Sequence, residues 1–195
     1  NAATTAVAPE VVKAMVPVLQ ECFGNPSSSH AVGRKSRVLI EQSRRRVAKH
    51  LNCHPSCIYF TSGGTEADNL ALRGAVRDLG CTRIITSEAE HSAVIKTAQS
   101  LERSAGTALD LVRHLPNGKV DLEHLAALLA KGGKTIVSLM HANNEVAVIQ
   151  DLERIGIMCR EAGVLFHSDT VQTMCHYAFD LEAVSYTHLT LPTRS

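Results

Sequence analysis

The chain has 195 residues, with 20 Lys and Arg against 19 Asp and Glu, and it is 45% hydrophobic. That is the size of one large soluble domain, and the net charge of +1 excludes the basic excess of a nucleic-acid protein and the acidic excess of a disordered tail. No apolar run approaches the ~20 residues of a membrane span, and the opening Asn1-Ala2-Ala3-Thr4-Thr5 lacks the basic start of a secretory signal, so the six cysteines read as reduced thiols in a cytoplasmic compartment.

In chain order, Pro9 is a favoured first helical residue. It predicts a helix reaching toward Gly24 that Pro17 should kink or split. A second helix is expected from about His30 to Leu51. Five short β-branched or aromatic runs predict strands at 58–61, 83–86, 108–112, 135–139 and 164–167. Between them, Leu122, Leu125, Leu128 and Leu129 recur at helical spacing within 120–131, and a helix over 152–162 is closed by Gly163. Strands alternating with helices predict an α/β fold: a mostly parallel sheet with helices on both faces. Ligands then bind at the carboxyl ends of the strands.

Polar segments follow four of these strands. Ser62-Gly63-Gly64-Thr65 opens a helix, whose free amides suit a phosphate; the plainer reading is a glycine turn with Thr65 as helix cap. His91, at a strand-to-helix junction, suits proton transfer or ring stacking, or is a surface loop residue. Asn143-Asn144-Glu145 is a polar ligand set or an Asx turn. Asp169 can pair with a protonated ring nitrogen, with Gln172 in reach of the same ligand, or it caps a following helix. A parallel topology brings all four segments together, so their joint signal exceeds any one motif.

Two other features compete. His50, Cys53, His54 and Cys57 offer zinc-ligand types, although their spacing matches no familiar zinc pattern. Arg34, Lys35, Arg37, Arg44, Arg45 and Arg46 make one helix basic, which usually means a solvated face. The expectation is therefore no metal site, no nucleic-acid partner and no membrane partner.

Taken together, Asn1-Ala2-Ala3-Thr4-Thr5, Gly24-Asn25-Pro26-Ser27-Ser28, Thr61-Ser62-Gly63-Gly64-Thr65-Glu66, Glu90-His91, Asn143-Asn144-Glu145 and His167-Ser168-Asp169-Thr170-Val171-Gln172 resemble the cysteine desulfurases. These are pyridoxal 5'-phosphate (PLP) enzymes of fold type I in the class V aminotransferase superfamily. The resemblance implies that Gly64 and Thr65 hold the cofactor phosphate. It implies that His91 stacks on the ring and moves protons, Asp169 pairs with the ring nitrogen and Gln172 bonds the phenolic oxygen. Asn144 would touch the ring region and the substrate carboxylate. The implied reaction takes sulfur from L-cysteine, leaves alanine and places a persulfide on a mobile enzyme cysteine. A sulfur acceptor, such as an iron–sulfur scaffold protein, then receives it, and the family forms homodimers. Selenocysteine lyase or another class V aminotransferase-like enzyme are the neighbouring alternatives. Departures from the family pattern are Ala6 in place of a Pro, and Cys175-His176 in place of Gly-Lys.

The family's Schiff-base lysine has no counterpart: the last lysine is Lys134. None of Cys22, Cys53, Cys57, Cys81, Cys159 or Cys175 matches the persulfide cysteine, and the arginine for the substrate carboxylate is missing. Residues 184–193, Val-Ser-Tyr-Thr-His-Leu-Thr-Leu-Pro-Thr, resemble the translation of a transposon-type sequencing adapter. The expected organisation is a truncated PLP-binding large domain over 1–183 and a non-native read-through tail over 184–195. The parent is expected to be a desulfurase and this chain to be inactive.

Overall fold

The computed structural model describes residues 4–181 and 188–190. The start of the first motif, residues 1–3, and most of the expected tail lie outside the described residues. The chain divides into two compact units, one running to Phe60 and the other from Thr61 onward.

The first unit holds α1 (Pro9–Glu21), α2 (Ala31–His50) and a 3₁₀ turn over Pro55–Cys57. Pro17 lies inside α1 without dividing it. His30 caps α2 by accepting the Gly33 amide at 3.2 Å on Nδ1. Gly33 is required there, because a Cβ would meet the Asn25 carbonyl oxygen at 2.4 Å. The predicted strand at 58–61 does not form. Its residues have strand composition, yet every paired strand belongs to the later part of the chain, and composition needs a partner ladder to become a strand. Ile58 is buried while Tyr59 and Phe60 are exposed. Arg44 donates to the Ile58 carbonyl and sits 5.0 Å from the Phe60 ring. Of the basic residues on α2, Lys35 pairs with Glu21 at 3.4 Å, Arg37 donates to the Pro26 carbonyl, and Arg44 pairs with Glu41. The face is largely occupied by local partners.

The second unit contains α3 (Gly64–Arg77), β1 (Arg83–Thr86), α4 (Ser92–Ala105), β2 (Ala108–Leu111), α5 (Leu122–Leu129), β3 (Thr135–Ser138), the hairpin β4 (Ala142–Asn143) and β5 (Val148–Ile149), α6 (Leu152–Glu161), β6 (Leu165–Asp169) and β7 (His188–Thr190). The main sheet has the order β2-β1-β3-β6-β7, with every pair parallel. Side chains alternate across it, as the pleat requires. Ile84 and Ile136 join Leu72, Val94 and Leu101 from α3 and α4. Ile85, Val137 and Phe166 join Leu125, Leu128 and Ile155 from α5 and α6. Two apolar layers thus clamp one sheet, which is why β1 and β3 are buried on both faces.

Helix ends follow the sequence. Asp121 accepts the His124 amide to start α5, and Asp151 accepts the Arg154 amide to start α6, each at 3.0 Å. Gly106 ends α4 in the left-handed conformation. The backbone of β7 pairs along the edge of β6, matching His167 with His188 and Asp169 with Thr190. An open strand edge is a template for such pairing.

Candidate active site

With every strand of the main sheet parallel, the ends of β1, β3 and β6 and the start of α3 define one rim. The first helical amides of α3 precede its first internal bond, from the Ala67 amide to the Gly63 carbonyl at 3.1 Å. They form an anion-binding helix end. Gly63, rather than Thr65, occupies the cap position and gives no side-chain bond, and Thr65 is exposed. Glu66 reaches back to the Ser62 amide and hydroxyl, both at 2.6 Å, and pins the turn. A Cβ on Gly64 would meet Val171 Cγ2 at 3.2 Å. This turn therefore lies against the segment between Asp169 and Gln172.

His91 caps α4, its Nδ1 accepting the Ala93 amide at 3.2 Å. That bond leaves Nε2 to carry the ring proton in the neutral form. The ring belongs to an exposed residue. Asp169 ends β6 instead of following it. No helix is capped by it; its Oδ1 accepts the Val171 amide at 2.9 Å. Burial raises its pKa, and the Val171 amide and His91 oppose that rise.

Ligating atoms of Asp68, His91 and Asp169 lie within 4.8 Å of one another. Asp68 was not singled out from the sequence. It lies on the buried stripe of α3 with Ala71, Leu72 and Ala75, and a carboxylate at an apolar helical position was the available signal. Its Oδ1 is buried without a hydrogen-bond partner. It lies 3.6 Å from Nε2 of His167. His167 is fully buried and bonded to Ser138 through Nδ1 at 2.8 Å and to Thr190 through Nε2 at 3.0 Å. Burial, then the nearby Asp169, raises the Asp68 pKa to about 7, against a bond from Thr190. Glu90 is a third buried acid, raised to about 8 mainly by burial. Its Oε1 accepts the Met140 amide at 2.8 Å, tying the His91 loop to the end of β3.

The two asparagines divide their duties. Asn143 donates to the Ala89 carbonyl at 2.7 Å and accepts the Glu145 and Val146 amides. It builds the Asx turn and the hairpin, while Asn144 is exposed at the turn. Gln172 is half-buried in the turn after β6. The geometry brings His91 and Asp169 together with the unforeseen Asp68 and sets Gly64 against Val171. It gives Thr65, Asn144 and Gln172 positions on segments of the same rim. His50, Cys53, His54 and Cys57 do not form a ligand cluster among the described residues. His54 Nδ1 instead bonds the Ser56 hydroxyl at 2.7 Å.

This rim has two ends of opposite character. A helix N-terminus favours an anion, and a buried carboxylate pair favours a cationic donor. A parallel α/β domain with polar groups gathered at its strand ends defines a ligand-binding protein of the α/β class. Residues 1–187 match the family model of the class V aminotransferases, and the chain belongs to this family, whose members are PLP-dependent enzymes. It is 42% identical over 184 residues to the cysteine desulfurase IscS of Methylobacillus flagellatus, covering 92% of this chain and 45% of that one. A NifS-like protein from Rickettsia africae superposes with a TM-score of 0.86 at 31% identity, over 98% of this chain and 52% of that one. The structure of SspA in complex with cysteine gives 0.89 at 33% identity, over 98% and 55%. The chain thus spans about half the length of the relatives it matches.

Proposed function

We propose that this chain carries the cofactor-binding part of a PLP-dependent cysteine desulfurase. The carrying observation is the bipolar rim, with a helix N-terminus at Gly64 and Thr65 and a buried carboxylate pair at Asp169 and Asp68. The orphaned Asp68 oxygen and the close approach at Gly64 both fit PLP, which is anionic at its phosphate and protonated at its ring nitrogen. Gly64 and Thr65 would hold the phosphate. Asp169 would hold the ring-nitrogen proton, His91 would lie on the ring and carry protons, and Gln172 would bond the phenolic oxygen. Asn144 would orient the substrate carboxylate. Bound PLP supplies an electron sink for bonds broken at the substrate's α-carbon.

The desulfurase names of the IscS relatives and the cysteine in the SspA structure support L-cysteine as substrate. A sulfur acceptor such as an iron–sulfur scaffold protein, a homodimeric parent and a cytoplasmic location complete the reading. Lys134 is the last lysine in the sequence, so this chain is expected to bind PLP without covalent attachment and to be inactive. The same reading takes residues 184–195 as read-through.

Mixing the purified chain with PLP tests this. Saturable binding is expected, weakened at least tenfold by Asp169→Asn and by removal of the ligand's phosphate. Borohydride should fix no label to the chain. Equal binding of PLP and phosphate-free pyridoxal, unchanged by Asp169→Asn, overturns the site. A label fixed at a defined lysine overturns the inactivity.

A further inference from the structure

Asp68 helps to mark the site proposed above, but no role in the reaction has been assigned to it. It is 99% withdrawn from solvent by its place on α3, at 1% exposure. One of its oxygens has no hydrogen bond. An isolated carboxylate in that setting costs several kcal/mol unless a cation or a proton compensates it. The ionisable groups that face it, among the described residues, are His167 and Asp169 from β6, and Glu90 and His91 from the loop after β1. Two of these are acids. His167 is held by Ser138 and Thr190, and His91 is committed at Nδ1 to the Ala93 amide.

We propose that Asp68 is a positioning residue: its buried carboxylate, within 4.8 Å of Asp169, adds the second negative charge that keeps the cofactor's ring nitrogen protonated. The inference rests on the PLP reading. Asp169 is the residue read above as accepting the ring N–H. Asp68 acts through it, raising the negative potential at the nitrogen in a medium that screens weakly. Two neighbouring buried carboxylates resist ionising together, and a pyridinium proton between them and the rim relieves that conflict. The ring's arrival therefore draws Asp68 into its charged form, and the charged form in turn holds the ring's proton.

The test follows the ring nitrogen itself. PLP labelled with ¹⁵N in the ring is bound to the full chain, and its nitrogen shift is followed by NMR from pH 6 to 10. In Asp68→Asn the ring nitrogen should lose its proton about one pH unit lower than in the unmodified chain. Asp68→Glu, which keeps the charge, should restore most of the difference. Asp68→Ser gives the same neutral comparison if the Asn variant does not fold. A PLP analogue with carbon at the ring-nitrogen position should bind the unmodified chain and Asp68→Asn equally. An unchanged nitrogen titration in the neutral variants overturns the proposal. So does an equal loss of affinity for PLP and the carbon analogue, which marks a structural role only. If the unmodified chain fails to bind PLP, or leaves its nitrogen titrating as in free solution, the PLP reading itself has failed.

Discussion

Glu90 is buried, with one oxygen that no donor reaches, and burial raises its pKa to about 8. In an unfolded chain a glutamate releases its proton near 4.3. Between these values the folded state binds more protons. The Glu90 contribution to stability is therefore complete below about 4.3 and is lost as pH rises through about 8. Asp68 and Asp169 are raised too and act with the same sign. Urea midpoints measured from pH 5 to 9 should fall for the unmodified chain. In Glu90→Gln, which keeps an oxygen for the Met140 amide, the fall should be shallower. Equal slopes would show that Glu90 ionises freely on folding. At this scale His91, Asp169 and the glycine turn stood out because His91 lies between β1 and α4, Asp169 ends β6 and the glycines open α3. Asp68 and His167 were not, since their partners come from β6, α3 and β7, far apart in sequence.

Among the elements, β6 does two jobs. Its Phe166 is fully buried in the layer under α5 and α6, and its last residue is Asp169. Phe166→Ala should cost about 3–5 kcal/mol, the range for a buried aromatic replaced by a small residue. Asp151→Ala removes only the cap of α6 and should cost about 1 kcal/mol. Equilibrium denaturation of both variants checks the order, and a Phe166→Ala cost no larger than the cap's would contradict the clamped-sheet account. The β4–β5 hairpin escaped the sequence reading because each strand has two residues. Side-chain bonds from Asn143 and the left-handed Ala147 define it. The unformed strand at 58–61 is the opposite case, with the right composition and no neighbouring strand.

For the molecule as a whole, the first unit exposes Val11, Met15 and Leu19 on α1, with Leu19 at 74% and Phe23 beyond it at 80%. Exposed apolar surface of that kind drives association. The purified chain should elute as broad, concentration-dependent species in size-exclusion chromatography, and a sharp monomer peak would contradict this. The tail reading has its own check. Re-amplifying the locus from source DNA should replace codons 184–195 with sequence that continues the family pattern and supplies a lysine-bearing loop. Recovery of the same tail followed by a stop codon would overturn it.

The parallel α/β class, the positions of its helices and the family were decided by the chain's own order of residues. Alternating hydrophobicity, helix caps and strand-end motifs are local signals that survive without a fold. Which polar groups face each other was decided by tertiary structure alone. The pairing of β1, β3 and β6 and the packing of α3 put His91, Asp68 and Asp169 within one small volume, with both carboxylates buried and His91 exposed. Only the burial of the two carboxylates beside that histidine creates a charge to satisfy.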